Sequence, residues 1–207
     1  VEAHNHGVMW WRAAENLNQA VEAGNDPLKV VVDRAHEKGR QVICSLRMND
    51  ATTEDSGNFY MLSRLKQEHP EIMIGEEDPA RPHVATCADF ALPEVRRERL
   101  SVIEEVCGPY GADGLEMDPY VGAYFKSSEV EKNTPLMTDF VGEVRALLNR
   151  IGAQRGEELC LAARVYPVEE ANLEIGMDVR TWLADGLVNL VVVHAGGFQM
   201  DQEVRCE

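Results

Sequence analysis

The stretch Ala112–Tyr120, Ala-Asp-Gly-Leu-Glu-Met-Asp-Pro-Tyr, spaces two carboxylates at the period of a β-strand. Leu115 and Met117 alternate with Glu116 and Asp118, so a strand here carries both acids on one face. Paired carboxylates suit general acid–base and nucleophilic chemistry, of which glycoside hydrolysis is one form. Glycoside hydrolysis needs two carboxyl groups across the scissile bond, about 5–5.5 Å apart for retention and about 6.5–9.5 Å for inversion. One stays protonated as the acid while the other is ionised as nucleophile or base. Asp118, at the carboxyl end of the strand, is the first candidate for a catalytic carboxylate. Glu116 lies about 6.6–7 Å deeper along the strand. It is the second candidate, and its alternative is a buried acid–arginine network with Arg47 or Arg164.

Further polar residues fall at the ends of other expected strands. Arg47, Asn49 and Asp50 follow the apolar run Gln41–Leu46, while Arg164 and His194 close two later runs. An arginine there can hold a sugar hydroxyl or fix a carboxylate bidentately, and Asn49 and Asp50 suit vicinal hydroxyls or turn chemistry. Tyr120 and Tyr124 are candidates to stack on sugar rings. Trp10 and Trp11 could do the same, with core packing as their alternative. The pair His4-x-His6 admits a different chemistry, a metal-dependent barrel hydrolase in which His194 and Asp118 complete the site. The leading reading needs neither metal nor cofactor.

The elements that must position these groups alternate strand and helix. Asp26-Pro27 opens a helix running to about Lys38, with Gly39 as its stop. A buried strand over Gln41–Leu46 follows, then a polar stretch, an amphipathic segment around Phe59–Glu68 and a long loop over Pro70–Pro82. Ala85–Ala91 is a weaker strand candidate, and Pro93–Cys107 a helix. After the acidic strand, Thr134-Pro135 starts a helix to about Ile151. Leu159–Val165 reads as a strand, Glu169–Ala184 as mostly helical, and Val188–Val193 as a β-branched strand. Strands that are apolar on both faces and separated by helices predict a parallel sheet. Acids inside such a strand fit a barrel, where the inner faces and carboxyl ends of the strands do the chemistry.

The fold class expected is therefore α/β, a parallel (β/α) barrel of TIM type forming one domain over residues 1–207. Five strand candidates against eight predict an incomplete barrel, truncated at both ends. The second catalytic carboxylate is then expected on a strand outside this chain, and the chain alone is expected to be inactive and prone to associate through open edges. The sequence leaves the oligomeric state open.

The formal net charge of -16 argues against nucleic acid or an anionic membrane as partner. No apolar run approaches the roughly 18 residues of a membrane span. The five cysteines are scattered without Cys-x-x-Cys spacing, so buried free thiols are expected rather than zinc or disulfides.

Several stretches taken in order resemble the family-10-like glycosyl hydrolases, a group of TIM-barrel proteins. They are Asp26-Pro27-Leu28, Ala35-His36-Glu37-Lys38-Gly39, Ser45–Asp50, Pro93-Glu94-Val95-Arg96, Asp113–Asp118, Asn133–Phe140, Ala162–Val165 and Trp182–Leu187. The likeness covers roughly residues 26–193. It implies a barrel whose strand ends line a carbohydrate cleft, with either hydrolysis or glycan binding without cleavage as the activity. The acidic strand is also similar to the Asp-Gly-x-x-x-Asp pattern of chitinase-like barrels. There the proton donor is a glutamate two residues further on, where this chain has Tyr120.

Overall fold

A computed structural model of the chain describes residues 15–51, 63–75, 82–120 and 123–194. Its centre is a four-stranded sheet of β1 (Ile43–Arg47), β2 (Gly114–Asp118), β3 (Cys160–Val165) and β4 (Leu190–Val193). All three pairings are parallel, and the strands lie in chain order β1-β2-β3-β4. Parallel crossovers are right-handed, so connections that all advance in one direction put their helices on one face. That face carries Leu115, Met117, Leu161, Ala163 and Val165, all buried in the main core.

Six helices accompany the sheet. They are α1 (Pro27–Glu37), α2 (Arg64–Glu68), α3 (Pro93–Cys107), α4 (Val130–Arg155), α5 (Glu169–Leu173) and α6 (Val179–Ala184). Residues 15–22 are also helical. The expected caps of α1 are in place, since the Asp26 carboxylate accepts from the Leu28 N–H at 3.0 Å and Pro27 opens the first turn. Helix α3 buries Val95, Ile103 and Cys107, and α4 buries Phe140, Val141, Val144, Leu148 and Ile151. These two long helices supply most of the apolar layer over β2 and β3.

Three expectations need correction. Ala85–Ala91 is not a strand: Pro82–Thr86 forms a 3-10 helix, and only a single antiparallel bridge, Met73 to Ala88, follows. The segment's backbone bonds go to several partners: the Cys87 C=O and the Asp89 N–H pair with Ile74 and Ile72, the Phe90 N–H with Tyr124, and the Asn49 side chain takes the N–H and the C=O of Ala88. The sheet therefore holds four of the five expected strands. Helix α4 begins at Val130 rather than Thr134, with Pro135 in its second turn. Pro135 is exposed there, and so is Glu131, so the carbonyl that the proline cannot serve lies on a wet surface. The expected helix over Glu169–Ala184 is two short ones, interrupted at Gly176 (φ 83°). A Cβ there would meet the Phe125 ring at 2.8 Å, so only glycine allows that ring to pack.

The amino end of the sheet is held by Asp113, which sequence assigns merely to a turn. Its carboxylate accepts from the Val42 N–H at 2.6 Å and lies 2.9 Å from His36 Nε2. Arg155 reaches the same carboxylate and also donates to the carbonyls of Cys107, Gly111 and Ala112. Burial raises the Asp113 pKa, but the Val42 bond and then His36 outweigh it, and the group sits below the ordinary carboxylate value. Gly114 follows because a Cβ there would stand 2.5 Å from the Cys160 carbonyl oxygen.

Candidate functional site

The face away from the helices is set by register. Ser45 pairs with Glu116 and Glu116 with Ala162, while Arg47 pairs with Asp118. In parallel strands paired residues point the same way, so Ser45, Arg47, Glu116, Asp118 and Arg164 share this face. His194 continues the same alternation just past β4, its N–H bonded to the Val165 carbonyl at 3.0 Å. Every one of these groups except Ser45 and Glu116 lies at or just beyond the carboxyl end of its strand.

Glu116 is the pivot of the cluster. Its Oε1 accepts from Ser45 Oγ at 2.7 Å, from Arg164 Nη2 at 2.6 Å and from Arg164 Nε at 3.1 Å. The same guanidinium stands 3.8 Å from Asp118 Oδ1. Asp118 Oδ1 also accepts the Tyr120 N–H at 3.0 Å. Among the described residues nothing donates to Oδ2 of Asp118 or to Oε2 of Glu116, so each acid is anchored by one oxygen and offers the other. The side chains keep 16% and 12% of their surface exposed, enough for a ligand group to reach them.

Two aromatic rings flank the acids. The Arg47 guanidinium lies over the Tyr120 ring, 4.8 Å from its centroid. On the other side Tyr166 and His194 sit with ring centroids 5.1 Å apart. Burial lowers the His194 imidazole below its ordinary value, with Asp118 acting in the opposite sense. The neutral ring can then donate through one nitrogen and accept through the other.

Not every candidate joins this cluster. Asn49 is 3% exposed, and its amide is fully used: Nδ2 donates to the carbonyls of Ala88 and Ala123, both at 2.8 Å. Its Oδ1 accepts from the N–H groups of Ala88 and Asp50. Such a group ties loops together and has no hydrogen bond left for a sugar hydroxyl. Asp50 is half-exposed and pairs with Lys66 at 2.6 Å; the Lys66 side chain is 3% exposed and also donates to the Asp50 carbonyl. Tyr124, expected as a stacking platform, is buried edge-on against Phe90 at 5.0 Å and serves the core. Its phenol is raised above the ordinary value by burial and then by Asp118.

His4, His6, Trp10 and Trp11 lie outside the described residues. Among the described residues no group of three or more His, Cys, Asp and Glu side chains stands ready to hold a metal ion. No described helix is long and apolar enough to cross a membrane. The cysteines Cys44, Cys107 and Cys160 are free thiols. Sequence reasoning missed Ser45, Lys66 and Tyr166. The first and last were within reach, since Ser45 alternates with Arg47 and Tyr166 with Arg164. Lys66 carried no such signal.

No protein-family model matches the chain, and no curated protein sequence matches it. Solved structures do. The α-amylase of Geobacillus thermoleovorans, complexed with acarbose, aligns over 73% of this chain and 32% of its own, at a TM-score of 0.42 and 16% identity. The cell-surface chitinase ChiW of Paenibacillus sp. str. FPU-7 aligns over 68% of this chain and 16% of its own, at a TM-score of 0.40 and 19% identity. The chain thus spans a third or less of each of these two structures.

Proposed function

We propose that this chain is part of a (β/α)-barrel domain of the glycoside hydrolase type, with a carbohydrate site at the carboxyl ends of its strands. The observation that carries the reading is the convergence of Arg47, Asp118, Arg164 and His194 on one face and one end of the parallel sheet, beside the buried Glu116. Sheet order adds to it. A sheet wound in one direction leaves its second face to be closed by further strands, as a barrel does, and ligands of parallel sheets bind at the carboxyl ends.

In this reading Asp118 is the catalytic carboxylate. With Oδ1 held by the Tyr120 N–H and Arg164 beside it, Oδ2 is an acceptor, suited to nucleophile, base or hydroxyl binding. Glu116 remains the second candidate, although its three bonds to Ser45 and Arg164 chiefly hold the guanidinium in place. Arg47, Tyr120, Arg164, His194 and Asp50 shape the sugar site, and Asn49 supports the loop that carries Asp50. The resemblance to family-10-like glycosyl hydrolases points the same way.

A glycan-binding site without catalysis is the second reading, and one observation favours it. Both acids lean on the same Arg164 from a single strand, whereas a catalytic pair must flank the scissile bond. The deciding experiment is a hydrolysis screen over poly- and oligosaccharides with the full-length protein that contains this chain, wild type beside Asp118→Asn. The first reading expects turnover that falls at least about a hundredfold in the variant. Equal turnover by both proteins removes Asp118 from the mechanism, and binding without turnover by either selects the second reading.

A further inference from the structure

We propose that Arg47 selects an acidic glycan, an oligosaccharide whose uronic acid presents its carboxylate to the guanidinium. This deepens the carbohydrate reading above and rests on it. Arg47 ends β1 as the register partner of Asp118, yet the acids at this end of the sheet are engaged elsewhere. Glu116 binds Arg164 and Ser45, Asp118 takes the Tyr120 N–H and faces Arg164, and Asp50 holds Lys66. Arg47 is exposed and forms no ion pair among the described residues. This is notable in a chain with 36 acidic and 20 basic residues, where a partner for an arginine is statistically easy to find.

The guanidinium is also preorganised. Its central carbon rests over the Tyr120 ring, 4.8 Å from the centroid, so less freedom is lost when its N–H fork meets a ligand. A neutral hydroxyl uses only one of those donors and none of the charge. A carboxylate accepts two parallel bonds and gains from the charge, which makes it the better complement. Arg164 cannot play this part, because Glu116 already occupies its Nε and Nη2. Tyr120 fixes Asp118 through its N–H and Arg47 through its ring, so the ligand carboxylate would sit one strand away from the candidate catalytic acid.

The test measures binding of the full-length protein that contains this chain, by titration calorimetry, to hexasaccharides of polygalacturonate, hyaluronan and alginate. Each is paired with its carboxyl-reduced counterpart. At least one acidic form should bind about tenfold or more tightly than its reduced counterpart, and the ratio should fall as salt rises. In Arg47→Gln the ratio should collapse towards one; Arg47→Lys, which keeps charge but loses the fork, should fall between. A wild-type ratio near one would overturn the proposal while leaving the carbohydrate reading intact, and this measurement needs no variant. Retention of the ratio in Arg47→Gln would overturn it equally. Failure of all six ligands to bind would count against both.

Discussion

Asn49 offers a sharp separation between a ligand-binding and an architectural role. The isosteric change Asn49→Asp keeps the side-chain shape and both acceptor positions but removes the two donors. The carbonyls of Ala88 and Ala123, both buried, would lose their 2.8 Å partners and face a carboxylate oxygen instead. Leaving a buried polar group unsatisfied costs about 1–3 kcal/mol. Two such groups give about 2–6 kcal/mol, and repulsion between oxygens moves the outcome to the upper half of that range. Asn49→Ala also strips the Ala88 N–H of its acceptor, so three buried groups are orphaned, although a water entering the vacated space recovers part of the loss. Both variants should therefore lose about 3 kcal/mol or more, read as a lower urea midpoint with an unchanged slope. The reasoning fails if Asn49→Asp unfolds within about 1 kcal/mol of wild type. A variant of full stability that had lost glycan binding would restore Asn49 to the sugar site.

Two further outcomes follow from the charged networks. Arg164→Met leaves the Glu116 carboxylate without its main partner. Because Arg164 is 33% exposed, the loss should be about 2 kcal/mol, below that of a fully buried pair, and Glu116→Gln in the same chain should recover part of it in a urea double-mutant cycle. Asp113 has a folded pKa below its unfolded one. Its contribution is complete above the unfolded value of about 3.9 and drains away as pH falls through the lower folded value. Urea midpoints measured from pH 6 down to pH 2 should drop more steeply below pH 4 for wild type than for Asp113→Asn, and parallel curves would refute the assignment.

The acidic strand is legible in sequence because alternation with period two has one structural meaning once helices flank it. Gly114–Asp118 and Cys160–Val165 fall inside their expected bounds, and Pro93–Cys107 matches its expected helix. Register was not legible. Nothing local sets Ser45 beside Glu116 or Arg164 across from it, although an acid–arginine pairing was an open alternative. The misread segment, Ala85–Ala91, shows why: its backbone bonds to residues 72–75 and Tyr124, and Ala88 to Asn49, 39 positions away, and propensity carries no trace of such partners. Proline misplaced the start of α4 for a different reason, since an exposed second turn tolerates the proline that sequence expects only in the first.

The order of the sheet also sets the order of its assembly. The contact between Leu161 and Asn189 closes 28 residues, the one between Glu116 and Arg164 closes 48, and the one between Ser45 and Glu116 closes 71. The entropy of joining chain ends grows with the logarithm of that length, so the longest closure costs about 0.8 kcal/mol more than the shortest. Pairing therefore runs most readily from β4 towards β1, against the direction of synthesis. By closure length alone, joining Arg164 to Glu116 costs about 0.3 kcal/mol less than joining Glu116 to Ser45, so β1, which brings Arg47 to the cleft, is the costliest strand to pair. The half of the site that holds the acids thus forms at a smaller entropic cost than the half that would read the ligand.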